Sequence, residues 1–72
     1  MNHEKVAALD RFDAPYGREV TLEGIEYESG MRLLRIRIRE GQRFTVMDID
    51  ADSAQRWSAV MGAWAAAAAN KQ

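Results

Sequence analysis

The sequence predicts an α+β domain: a three-stranded antiparallel meander (about residues 18–28, 31–39 and 43–49) packed against one C-terminal helix (about 52–69). Three observations predict it. Apolar and charged residues alternate through the middle of the chain, the mark of half-buried strands. Glycine-bearing turn signals separate the alternating runs. An apolar stripe at helical spacing then follows a cluster of aspartates.

The elements follow in order. Residues 1–5 are polar and read as disordered, and Val6, Leu9 and Phe12 are too sparse to separate a short helix from an extended lead-in. Pro15 and Gly17 mark a break. From Arg18, Val20 and Leu22 alternate with Glu19, Thr21 and Glu23, and after Gly24 the phase flips to Ile25 and Tyr27. A glycine at a phase change predicts a β-bulge. Ser29-Gly30 reads as a two-residue turn, which pairs Glu28 with Met31 and Ile25 with Leu34. With the bulge at Gly24, Leu22 then faces Ile36, Val20 faces Ile38, Glu23 faces Arg35 and Glu19 faces Arg39. Glu40-Gly41-Gln42 reads as a three-residue turn that pairs Arg39 with Arg43, Ile38 with Phe44 and Ile36 with Val46. A second bulge at Val46 and Met47 brings Ile49 opposite Leu34 and Asp48 opposite Arg35.

Asp50 or Asp52 caps the helix, and Asp48, Asp50 and Asp52 suit its positive end. Trp57, Val60, Met61, Trp64, Ala65 and Ala68 form the apolar stripe, and Asn70 is the expected stop. Laid across Leu34, Ile36 and Ile38, the residues Trp57, Met61 and Trp64 are expected to form the core.

Composition bounds the function. The 72 residues make one domain, of a size that buries only about 60% of its unfolded surface. There is no cysteine and His3 is the one histidine, so disulfides and thiolate or multi-histidine metal sites are excluded. Self-association is the remaining supplement to a small core. The net charge of −1 disfavours a general polyanion binder. The most apolar run, Ala59 to Ala69, has 11 residues, against roughly 20 for a membrane span. With no secretory signal visible, a cytoplasmic location is expected.

Candidate chemistry is thin. Asp48, Asp50 and Asp52 have the spacing that opens a calcium-binding loop, but Ser53, Arg56 and Ala59 stand where that loop needs glycine, a ligand and glutamate. Helix capping accounts for them, and no cofactor or metal is expected. His3 lies at the terminus, and no nucleophile–base pair or phosphate loop is present, so the chain does not read as an enzyme. The candidate binding surface consists of Arg35, Arg37, Arg39, Arg43 and Trp64. Arginines alternating on a strand can contact phosphates, with Tyr27 or Phe44 stacking on bases, or they can pair with Glu19 and Glu23. Trp64 and the alanine run permit close approach of a partner or a second copy.

The run Arg11 to Val20 (RFDAPYGREV), with Tyr27 to Arg35 (YESGMRLLR), Arg43-Phe44-Thr45 and Trp57, resembles a family of short uncharacterised bacterial proteins. The resemblance implies a stand-alone bacterial domain and brings no assigned activity or site. The expected function is a non-catalytic protein-binding or accessory module that self-associates or binds a protein partner. The alternative is a nucleic-acid-contacting domain that uses the arginine-rich strand.

Overall fold

The computed structural model describes residues 4–70. Four strands, β1 (Glu4–Ala14), β2 (Arg18–Tyr27), β3 (Arg32–Glu40) and β4 (Arg43–Ile49), pair in sequence order as an antiparallel meander. Helix α1 (Ala51–Ala69) follows directly. The architecture is α+β as expected, with four strands where three were read. His3, Met1 and Asn2 lie outside the described residues, as does most of the segment expected to be disordered; Glu4 and Lys5 belong to β1.

The additional strand β1 escapes a pattern reading for a physical reason. Its register against β2 shifts between Ala8 and Asp10, so Leu9 is an inserted residue. A bulge resets the two-residue alternation. Val6 therefore pairs with Ile25 and Phe12 with Val20, on opposite faces of the sheet. The resulting three-residue spacing of Val6, Leu9 and Phe12 looks helical although the backbone is extended.

The bulge is thus in β1, not at Gly24. Between β2 and β3 the register is unbroken: Glu19 pairs with Arg39, Val20 with Ile38, Leu22 with Ile36, Glu23 with Arg35, Gly24 with Leu34 and Ile25 with Leu33. The loop is Glu28-Ser29-Gly30, one residue longer than expected, closed by Tyr27 and Met31 and by an N–H of Gly30 donating to Tyr27 at 2.9 Å. Ile25 consequently faces Leu33, not Leu34, and lies on the arginine side of the sheet. A compensating difference occurs at the next turn. Gly41-Gln42 is a two-residue loop that pairs Glu40 with Arg43, with Gly41 at φ 62°. That conformation at the first loop position suits glycine. Arg39 therefore pairs with Phe44, Ile38 with Thr45, Arg37 with Val46 and Ile36 with Met47, and no second bulge exists. The expected pairs Leu34–Ile49 and Arg35–Asp48 are present.

Gly24 offers a direct test of this register. A Cβ there would sit 3.8 Å from Leu9 Cδ1, an ordinary contact. Glycine within a strand costs roughly 0.5–1 kcal/mol relative to alanine. Gly24→Ala should leave stability unchanged or raise it by up to about 1 kcal/mol, measured by urea denaturation. A bulge glycine in a left-handed conformation would instead make the variant less stable.

Asp50 is the N-cap, its Oδ1 accepting from the Ser53 backbone N–H at 2.8 Å, and Asn70 is the C-cap. Asp52 occupies the first turn. The expected core differs in place. Ile25 (1% exposed) and Ile49 (8%) are the buried apolar residues among those described. Trp57, Met61 and Trp64 remain 39%, 60% and 72% exposed. Helix α1 has no buried residue.

Candidate functional site

The sheet separates two surfaces of different chemistry. On one face, directly paired residues stack as an ion-pair ladder, because facing residues on neighbouring strands share a side. Arg35 donates to both Asp48 carboxylate oxygens, at 2.8 and 3.0 Å, and approaches Glu4 at 4.0 Å. Arg37 reaches Glu23 diagonally at 3.4 Å, and Arg39 reaches Glu19 at 3.4 Å. Glu19 also accepts from Arg11 at 2.6 and 3.0 Å. β1, missed in the sequence, thus supplies a further cation and a further acid to this face. The same face carries an apolar cluster at one end, Val6–Ile25–Leu33, and places Phe44 opposite Arg39.

The charges respond to this arrangement. The hydrogen bond from Arg11 holds the Glu19 carboxyl below its ordinary range. The bidentate hydrogen bond from Arg35 does the same for Asp48, and the Arg35 guanidinium is pushed further from deprotonation. Asp50 is lowered by its hydrogen bonds to Ser53. Carboxylates depressed in the folded state contribute stability that is present above their unfolded pKa and lost as pH falls through the folded one. The melting temperature should therefore hold from neutral pH down to about 5 and fall below about pH 4. The loss should be modest because the pairs are partly solvated. Thermal melts across that range would contradict this if stability rose on acidification.

Arg35, Arg37 and Arg39 share the ladder face, but Arg43 does not. The two-residue turn pairs it with Glu40 and turns it to the helix side. Trp64 is on the helix, so the five candidate residues occupy three separate places. Tyr27 and Phe44 do lie on the arginine face.

The other face is apolar at its centre, between the ion pairs Arg18–Glu40 at 3.3 Å and Arg32–Glu26 at 3.6 Å toward its ends. Phe12, Val20, Leu22, Ile36 and Ile38 form a floor contributed by β1, β2 and β3, and the first half of α1 stands over it with Ala54, Trp57, Ser58 and Met61. Between them runs a groove of about 480 Å³. Its walls hold one hydroxyl, Ser58, and no titratable group. Past Met61 the helix leaves the groove, while the side that meets the sheet continues as Trp64, Ala65 and Ala68. Its charged residues, Asp52 and Arg56, lie in its first two turns, and Trp57 to Ala69 carries none.

The sequence profile of a family of unknown function, DUF6967, matches residues 3–67. The chain belongs to this family. The match spans β1 through most of α1, including both faces of the sheet and Trp64. No curated protein and no solved structure shows significant similarity to the chain. Among the described residues, no helix is long and apolar enough to cross a membrane.

Proposed function

We propose that this protein is a non-catalytic interaction module whose working form is self-associated. One observation carries the reading. The chain exposes 6140 Å² of surface, whereas a compact monomer of its 8.1 kDa mass exposes about 4,500 Å². The excess of roughly 1,600 Å² per chain is of the size that stable subunits bury against one another. The radius of gyration, 14.6 Å, is likewise above the value of about 11 Å that the size scaling gives for a compact domain of this length. The exposed large apolar residues include Val60, Met61 and Trp64 on the uncharged half of α1, beside the open groove, and apolar patches of this kind mark interaction surfaces.

With Ile25 and Ile49 the buried apolar side chains among the described residues, and no disulfide, the chain has few other means of staying folded. The lack of titratable groups in the groove supports a binding role over a catalytic one. The pairing of Arg35, Arg37 and Arg39 with Asp48, Glu23 and Glu19 weighs against a phosphate-binding role for the ladder face, since each cation already has a carboxylate partner. Light scattering across concentration tests the reading. The expected mass is a multiple of the 8.1 kDa chain, and a folded monomer at every concentration would contradict it.

A further inference from the structure

We infer that the occupant of the groove is the second half of α1 from another copy of the chain, in a two-fold symmetric dimer with Trp64 as its anchor. The inference rests on the self-associated reading above and specifies the contact. Every copy carries both an apolar groove floored by Val20, Leu22, Ile36 and Ile38 and an uncovered helix half bearing Trp64, Ala65 and Ala68. A two-fold contact is self-complementary, so one arrangement fills the groove and covers the overhang on both copies at once. An unrelated partner would have to supply a cover for each feature separately.

The chemistry of the two surfaces matches. The groove presents no charge to desolvate, and the helix half from Trp57 to Ala69 brings none. The alanines let the helix backbone approach closely, and Trp64, at 72% exposure, supplies a bulky apolar side chain to fill the open groove. Tryptophan in a desolvated pocket is the residue type that most often dominates an interface. An excess of roughly 1,600 Å² on each chain doubles to about 3,200 Å² for the pair, within the range of obligate dimers.

The cysteine-free sequence makes the contact testable in the full chain. Ala14→Cys places a thiol at the groove wall, and Ala68→Cys places one on the overhanging stripe. The two variants, given distinguishable tags, are mixed, unfolded, refolded together and treated with a short bismaleimide. The expected result is a cross-link between the two variants, absent when either is treated alone, and lost when Trp64→Glu is added to the Ala68→Cys chain. Dimers by light scattering with no mixed cross-link would overturn this contact and leave self-association standing, through the β1 or β4 edge for example. A folded monomer by light scattering would overturn both. A monomer that retains an apolar small molecule in native mass spectrometry would assign the groove to that ligand instead.

Discussion

Ile25→Ala should be the most destabilising conservative substitution in this chain. Ile25 is 1% exposed, the most completely buried side chain among the described residues, and it lies between Val6 and Leu33 on the ladder face. Truncating a buried isoleucine to alanine costs about 2–5 kcal/mol, through lost transfer energy and the cavity left behind. A domain of this length has a total stability of only several kcal/mol at the usual scale of about 0.05–0.15 kcal/mol per residue. The variant is therefore expected to lose a large part of its unfolding free energy, read as a lower urea midpoint with an unchanged slope. The control is Met31→Ala, at a residue 53% exposed beside the β2–β3 turn, which should change stability little. Equal effects of the two substitutions would mean that Ile25 is not the packing centre. The prediction matters for function because Ile25 anchors the ladder end of the sheet and so the strands that floor the groove on the other side.

Trp64→Glu should have the largest effect on assembly, while removing few contacts within one chain. The side chain is 72% exposed within one chain, so its loss removes few contacts there. Central tryptophans of interfaces are worth about 2 kcal/mol or more, which corresponds to at least a thirtyfold weaker self-association, roughly. The buried carboxylate adds to the loss, since an unpaired charge in an apolar groove is costly. Sedimentation velocity of wild type and variant at matched concentrations measures the shift. A variant that assembles as the parent does would remove Trp64 from the contact. The paired substitution Glu28→Gln, at the far turn, serves as a charge-changing control that should not alter assembly.

The sequence carried the register of the sheet more reliably than its turns. A two-residue loop at Ser29-Gly30 with a bulge at Gly24, and a three-residue loop with no bulge, bring the same partners opposite one another from Arg18 to Glu23. The hydrophobic pattern sees only that common outcome, so Leu22–Ile36 and Glu19–Arg39 were legible while Ile25–Leu33 was not. The same cancellation occurs at Gly41, where a shorter loop without a bulge preserves Arg35–Asp48 and Leu34–Ile49 but reverses the faces of Phe44 and Arg43. Turn length in a glycine-containing hairpin is decided by backbone conformation, which alternation does not encode. β1 was hidden because its bulge at Leu9 breaks the period on which strand reading depends.

The helix was legible because its signals are local: an aspartate cap and an apolar stripe within one continuous segment. Its packing was not. Period and stripe show that Trp57, Met61 and Trp64 share a side, but not how far that side extends beyond the sheet. The arginine face was legible as a set of alternating charges, and the partners Glu19 and Glu23 followed from the register. Arg11 entered it only once β1 was placed.

In the proposed self-associated form, a single copy of this chain leaves too much apolar surface in water to be the stable unit. Folding and association are then linked, and stability depends on protein concentration. The most direct measurement is the thermal unfolding midpoint over a hundredfold range of concentration, alongside the molar mass at each. The claim predicts a midpoint that rises with concentration. A midpoint that stays constant while the mass remains that of one chain would contradict it.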